Sequence, residues 1–284
     1  SGGVTIDVSA ATTVLRNSIS DSSDGDASQT HALIDNSVLN AGSVQVHATS
    51  TPLIYAKIWD VDIQVAASGG VSLAAVYGEA KVITDLADDV HAGLSNHSQV
   101  HATSEAVSVQ AIMDLPGVDV MPNDAPVSSV YVDTHSVGVT ASISLDLVAA
   151  AATVLRSKIE TNAASQIVAS IVESQVTAEQ GVSVKSDDKT TIFGSIRDTA
   201  IAASVVAAAA TAPTANQSIK NVVESSIVSS GSQAKTIQTM TGDSDFGDVQ
   251  IIANATPHLT TEATIWSGTI GIGSASSDSH TTST

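Results

Sequence analysis

The most constraining feature of this sequence is an internal repeat. Residues 34–66 align with residues 172–204 at a constant offset of 138, without a gap. Shorter matches join residues 11–19 to 151–159 and residues 148–153 to 206–211. Self-similarity of this kind indicates an array of stacked units. Identical apolar residues recur at mostly even spacing, at Val38/Val176, Val44/Val182, Val46/Val184, Ile54/Ile192, Ile58/Ile196 and Ile63/Ile201.

The local pattern inside the repeat alternates with a period of two. One element, V-x-V/I-x-A/S, recurs at residues 4–9, 43–48, 106–111, 181–186 and 248–253. In each copy one side is small and aliphatic while the other is polar, which predicts a half-buried β-strand.

Two alanine-rich runs, at 147–155 and 205–212, have high helix propensity in isolation. Both occupy the position in the repeat that residues 8–15 fill with β-branched side chains. We therefore predict strands for both runs.

Short polar corners such as 40–43, 68–70 and 178–181 connect these strands. Asn-Gly hairpin signals and helical crossovers are absent from the sequence. The prediction is an all-β, elongated parallel β-solenoid (β-helix) built from degenerate repeats. It spans residues 1–284 as a single segment, with a loop inserted near 113–129. At roughly 20–25 residues per turn and about 4.8 Å per turn, the rod would be roughly 50–65 Å long.

Composition narrows the class further. Aromatic residues make up 2% of the chain, so its core must be thin and filled by Val, Ile and Ala. The formal net charge of −19 opposes binding to nucleic acid or to anionic membranes. The longest uncharged run, 199–219, carries too many polar residues to predict a membrane span. There is no cysteine, no initiator Met and no signal-peptide pattern, and we expect a segment of a longer protein.

The pattern I-D-N-S-V-x-N-A-G-S-V-x-V-x-A at 34–48, followed by T-x-x-I-x-A at 51–56, resembles repeat regions of giant bacterial filamentous adhesins. These are large exoproteins with parallel β-helix stalks. The resemblance implies an extracellular or cell-surface location and a structural role, and it brings no catalytic residues. The unequal unit length and the high alanine content depart from the haemagglutinin-type repeats of that family.

Two acidic loops are candidate calcium sites, because clustered carboxylates on a glycine-containing turn can hold Ca²⁺. Neither loop matches the EF-hand or the calcium β-roll pattern. A solvated acidic loop is the alternative interpretation of each. The candidate ligands are Asp21, Asp24, Asp26, Asp243, Asp245 and Asp248.

A candidate interaction stripe follows from the alternation around residue 55. If Ile54, Ala56 and Ile58 face the core, Tyr55 and Trp59 face outward, and their counterparts at the repeat offset are Phe193 and Arg197. Exposed rings at one repeat position indicate a contact surface. Shielding by a neighbouring insertion is the alternative.

The functional prediction is a non-enzymatic structural protein, the stalk of a surface adhesin or the body of a filament. We expect self-association, end-to-end or lateral. A binding module that recognises a glycan or a surface is the second hypothesis. A polysaccharide-degrading β-helix enzyme is the third, and the sequence shows no nucleophile elbow, phosphate loop or plausible triad to support it. No cofactor other than the possible Ca²⁺ is expected.

Overall fold

The computed structural model describes residues 3–20, 27–117, 125–145, 148–229, 237–239, 248–277 and 280–283. These residues form an all-β structure in which every pair of hydrogen-bonded strands is parallel, and no helix occurs among them. The all-β prediction is confirmed, and the alanine-rich runs are strand over 148–155 in β11 (Val148–Ala163) and over 205–211 in β15 (Thr191–Thr211).

The chain passes through five strand positions in the same order four times, and we call each passage a circuit. The first circuit is β1 (Val4–Ile19), β2 (Ser28–Asp35), β3 (Val38–Ala41), β4 (Val44–Ser50) and β5 (Ile54–Ser68). The second is β6 (Val71–Leu86), β7 (Asp88–Ser95), β8 (Gln99–Ala102), β9 (Val107–Met113) and β10 (Val130–Ser144).

The third circuit is β11, β12 (Gln166–Val172), β13 (Gln175–Ala178), β14 (Val182–Asp188) and the first part of β15. The fourth is the second part of β15 with β16 (Thr214–Ile219), then β17 (Val222–Val228), β18 (Ile237–Thr239), β19 (Val249–Ala255) and the first part of β20 (His258–Ser277). β21 (His280–Ser283) pairs with β16.

Strands at the same position pair with one another from circuit to circuit. β2, β7, β12 and β17 form one sheet, and β3, β8, β13 and β18 form another. β4, β9, β14 and β19 form the third. The fourth and largest sheet contains both the first and the fifth strand positions, because β15 and β20 run on from the fifth position into the first.

The expected turn length is wrong. Val4 pairs with Val71, which pairs with Val148, and Ala150 pairs with Val206. Stacked strands are therefore separated along the chain by more than twice the expected length of a turn. The reason is that β1, β5, β6 and β10 have 15 or 16 residues each, which makes two sides of each circuit long. Four stacked circuits span only about 15–20 Å at the spacing of paired strands, so the expected rod length is wrong as well.

The sequence repeat corresponds to two circuits. Ile54 pairs with Val130, and Val130 pairs with Ile192, which is the residue that the repeat aligns with Ile54. The other valine and isoleucine pairs from 44/182 onward lie in the same kind of column. Val38 is the exception, because Leu39 takes its place in the column of Val176.

The match of 11–19 with 151–159 is also out of register. Arg16 pairs with Ile83, which pairs with Glu160 rather than with Arg156.

Apolar residues fill two main clusters. The larger lies between the three small sheets and includes Leu94, Met113, Ile167 and Ile171. The second lies between the first and fifth strand positions, around Ile54, Val82, Ile159 and Ile192. Ile54, Ala56 and Ile58, on whose inward orientation the candidate stripe depends, are all buried in the second cluster.

The long strands continue past the second cluster as a two-layer arm. Here the chain reverses after β5 and β6 returns along it, and β11 returns along β10 in the same way. We define the arm as residues 4–11, 60–78, 136–145, 148–157, 198–211 and 265–270.

At the end of the third circuit the chain reverses direction without leaving the strand, because β15 runs unbroken from the fifth strand position into the first. Ser204 and Val205 stand opposite Gly271, where the register of the β15–β20 pairing shifts. Gly271 has a positive φ of 126°, and a Cβ at this position would clash with the Ser204 carbonyl oxygen. This bulge therefore requires glycine.

The connection between β9 and β10 is longer than its counterparts. It runs from 114 to 129, whereas 51–53 suffices between β4 and β5, and 189–190 between β14 and β15. The predicted inserted loop near 113–129 falls here, and residues 118–124 of it lie outside the described residues.

Candidate interaction surface

The rings of the predicted stripe lie in one column with a third ring between them. Tyr55 stacks on Tyr131 at a centroid distance of 5.1 Å and an angle of 7°, and Tyr131 stacks on Phe193 at 5.4 Å and 10°. The sequence repeat does not indicate Tyr131, because the repeat has one constant offset, whereas the separation of Tyr131 from Tyr55 along the chain differs from its separation from Phe193. Both faces of Tyr131 are covered by its neighbours, so they are closed to a stacking ligand.

The second column of the stripe holds Trp59, His135 and Arg197. The Trp59 and His135 rings lie 4.5 Å apart, and Arg197 is the partner of His135 in the next circuit. Lys57 Nζ lies 5.3 Å from the Trp59 ring centre and 3.3 Å from Asp133 Oδ2. The four predicted stripe residues are therefore in two columns on the outward side, separated by the column of Lys57 and Asp133.

Tyr131 is buried and lies beside a carboxylate. Burial raises the pKa of its phenol, and the neighbouring Asp133 carboxylate adds to that effect. Asp133 itself is 3% exposed and its Oδ1 has no hydrogen-bond partner.

Beyond the stripe, the outward residues of the arm are almost all apolar. We call the outward side of the β5, β10, β15 and β20 stack the front face. Six aliphatic and aromatic side chains of the front face on the arm are more than half exposed. Contiguous exposed apolar residues of this kind are typical of interaction sites. The six residues are Val61, Ile63, Val65, Ile143, Trp266 and Ile270.

The opposite side of the arm, the back face, is apolar as well. It forms an open groove of about 410 Å³ along the outward side of β1, β6, β11 and the second part of β15. The side chains that line it come from all four circuits, and they are Ile6, Val8, Leu73, Ala75, Ala150, Ala152, Val206 and Ala208.

Between these two faces, the interior of the arm holds buried hydroxyls and carboxylates beside a small apolar cluster of Leu155 and five alanines. We call this interior the seam. Ser136 Oγ and Ser157 Oγ share a hydrogen bond of 3.0 Å, and Thr140 Oγ1 and Thr153 Oγ1 share one of 2.5 Å. The seam also holds carboxylates, since Ser157 donates to Asp198 Oδ1 and Ser9 donates to Asp62 Oδ2.

The inversion of the arm follows from a change in the parity of the apolar pattern. In β5 the inward aliphatic residues Ile54, Ala56 and Ile58 are at even positions, whereas the exposed Val61, Ile63 and Val65 are at odd positions, with no irregularity in the β5–β10 pairing. β10 changes in the same way between Val132 and Val137. Because successive side chains of a strand point to opposite faces, the same strand is apolar-in at its base and apolar-out in the arm.

Burial alters the titration of two seam carboxyls. It raises the pKa of Asp198 to about 6, against the hydrogen bond from Ser157, which favours the charged form. Burial also raises the pKa of Asp60, and the nearby Asp62 carboxylate adds to that effect. Asp60 and Asp198 lie in one column with Ser136 between them.

A polar pocket of about 390 Å³ lies outside the base of the back face, lined by Asp85, Glu160, Asn162, Asn216 and Lys220 among others. Hydrogen bonds from Lys158 and Lys81 hold the pKa of Glu160 below its usual value. Glu160 is therefore already neutralised by two cations of the chain.

The predicted calcium ligands fall mostly beyond the described residues. Asp21, Asp24, Asp26, Asp243 and Asp245 all lie in parts that the structure leaves out. Asp248 immediately precedes β19, and its carbonyl oxygen accepts a hydrogen bond from the Val182 amide. Across the described ranges, no three His, Asp or Glu side chains are close enough together to bind one metal ion.

Comparison with protein family models, with curated proteins and with solved structures finds no match. Within the described ranges there is no helix long and apolar enough to cross a membrane.

Proposed function

We propose that this chain is a segment of a parallel β-solenoid with a structural, extracellular role, as the stalk of a surface adhesin or the body of a filament. The observation that carries the proposal is the fourfold passage through the same five strand positions with parallel pairing throughout. Among the described residues, the strands of each circuit pair with strands of the circuits before and after it, which is how solenoids are built.

Such a stack suits a stalk because it lengthens by adding circuits. Strands at the two ends of the stack present a row of backbone donors and acceptors along one edge, and these edges can pair with further strands. The same geometry supports end-to-end association, with further circuits of one chain or with a second copy.

The surface fits the proposed setting. A net charge of −19 keeps a rod soluble and separates it from anionic surfaces. The resemblance of residues 34–56 to filamentous-adhesin repeats supports the extracellular placement. The covered faces of Tyr131 favour this structural role over glycan binding.

The competing architecture is a closed, barrel-like arrangement of the large parallel sheet. Removing one circuit distinguishes the two. Deletion of residues 62–137 joins Val61 to Gly138 in the register of the β5–β10 pairing and omits one circuit. A solenoid should remain folded and cooperative, shortened by about 4.8 Å, whereas a closed sheet loses strands that it needs for closure.

Far-UV circular dichroism, urea unfolding and small-angle X-ray scattering measure these outcomes. Deletion of residues 62–138 is the matched control, because one further residue turns every later side chain of the hybrid strand to the opposite face. The proposed architecture is wrong if both deletions unfold, or if both fold equally well.

A further inference from the structure

The front face is large enough to be an interface. Trp59 and the six front-face residues of the arm named above are each more than half exposed. Together they present on the order of 700 Å² of apolar surface, close to the roughly 800 Å² that each partner contributes to a standard interface. The largest apolar patch of a typical monomer is smaller, about 300–600 Å².

The exposed apolar residues of the arm follow a regular sequence pattern and are not simply residues that the core has no room for. The parity change places valine and isoleucine outside in β5 and in β10, while serine, threonine and aspartate lie in the seam. Parallel sheets are ordinarily covered on both faces. The front face lacks such a cover among the described residues.

The columns of the front face identify what fits it. Suppose that the front faces of two copies pack together about a two-fold axis parallel to the strands. The first circuit of one copy then lies against the fourth circuit of the other, and the second circuit lies against the third. Lys57 then faces Glu262, since both stand in the column of Asp133 and Ser195. Glu262 has no ion pair with a cation of the described chain.

The same operation brings apolar side chains of the first circuit against the fourth circuit of the other copy. Ile63 faces Gly268, because both belong to the column of Val139 and Ile201, and the Trp266 ring lies over this glycine. Trp59 faces Thr264, and Val61 faces Trp266. One symmetry operation therefore pairs opposite charges with each other and apolar side chains with apolar side chains, which is what an isologous interface requires.

We propose that two copies of this chain pair through their front faces, about a two-fold axis parallel to the strands, with Lys57 of each copy against Glu262 of the other. The pairing deepens the proposed function, because it supplies the lateral partner of a stalk or filament. It rests on that proposal only for its biological setting.

The first test is the mass of the chain in solution between about 1 and about 100 µM, a range in which interfaces of this size associate measurably. Sedimentation equilibrium should give twice the chain mass of 28.6 kDa. Ile63→Asp should give the monomer, since it buries a charge in the interface. Ile6→Asp is the matched control on the back face: the two isoleucines are 63% and 66% exposed, and this variant should stay dimeric.

The second test exchanges the charges across the interface. Glu262→Lys places two cations together and should raise the dimer dissociation constant by about tenfold or more. Adding Lys57→Glu should restore most of the lost affinity, even though it also removes the Lys57–Asp133 ion pair within each copy.

Three results would overturn the pairing. One is a wild-type monomer at every concentration, and another is equal disruption by the variants at residues 6 and 63. The third is a monomer that floats with phosphatidylcholine vesicles unless residue 63 is charged, which would assign the face to lipid. Circular dichroism of each variant and the circuit deletions report on the solenoid independently of all three results.

Discussion

At the scale of single residues, Asp198 shows the cost of a polar seam. It is buried, and Oδ1 accepts a hydrogen bond from Ser157 while Oδ2 has no partner. Burial without a cation nearby disfavours the charged carboxylate, which is why its pKa rises to about 6.

We expect Asp198→Asn to stabilise the protein at neutral pH. Because the folded state binds this proton more tightly than the unfolded state, the carboxyl lowers stability as pH rises from about 4 to about 6. The variant removes this loss, worth roughly 2–3 kcal/mol above pH 6. Urea unfolding at about pH 7.5 and about pH 4 measures it. An equal effect at both pH values would contradict the assignment.

Gly138 marks a close approach of the two layers of the arm. A Cβ at this position would lie 2.8 Å from Thr153 Cγ2 and 3.0 Å from Leu155 Cδ2. We expect Gly138→Ala to destabilise the fold by roughly 1–3 kcal/mol, because the layers cannot separate without losing seam hydrogen bonds. Gly69→Ala is the control, since its Cβ would meet no atom within 4 Å. Comparable losses of melting temperature in the two variants would refute the close approach.

At the scale of elements, the layers of the arm are joined by paired hydroxyls. Thr140 Oγ1 and Thr153 Oγ1 share one hydrogen bond, and Thr153 also donates to the Ile201 carbonyl. Each hydroxyl removed alone leaves the other buried with fewer partners.

A double-mutant cycle tests this link. Thr140→Val and Thr153→Val should each destabilise by roughly 1–2 kcal/mol, and the double variant should cost less than their sum by about 1 kcal/mol. Unfolding free energies from urea titration give the coupling. Strict additivity would show that the hydroxyls act independently.

The local character of the strands could be predicted from sequence, and their path could not. Alternation at 43–48 and 181–186 predicts strands, and both segments are strands with the valines buried. The repeat offset, however, spans two circuits, because the second circuit resembles its neighbours too weakly to be aligned. Val130 replaces the isoleucine of residues 54 and 192, and Thr134 replaces that of residues 58 and 196.

The front face was partly predictable. Tyr55, Trp59, Phe193 and Arg197 follow from alternation and the repeat, whereas Tyr131 and His135 needed the register of the intervening circuit. The parity change at Asp60 is visible in the sequence. Taken from the sequence alone, the parity change would indicate a β-bulge. The continuous pairing of β5 with β10 shows instead that the strand passes Asp60 without a bulge.

At the scale of the whole molecule, charge opposes compactness. The chain has ten Lys and Arg residues and 29 Asp and Glu residues. Several of the cations are already in ion pairs such as Lys81–Glu160. The remaining carboxylates repel one another across a thin body.

We expect the melting temperature to rise with ionic strength. Between about 20 and about 500 mM NaCl the screening length falls severalfold, so repulsion between surface carboxylates weakens. A rise of several degrees in a thermal scan is the expected result, with Asp198→Asn as a control that should shift in parallel because its site is buried. No change, or a fall, would mean that stabilising ion pairs outweigh the repulsion.

The polar seam has a consequence for the order in which the molecule assembles. Hydrophobic collapse can draw the strand bases together early, around residues such as Ile54 and Ile159. The distal halves gain less from collapse, since their interior combines hydrogen-bonded serine and threonine with a small cluster that is alanine apart from Leu155. The distal halves should therefore form after the bases, with strand pairing extending from the bases toward the end of the arm where the chain reverses direction. The last backbone amides to become protected from hydrogen exchange should be those nearest that end.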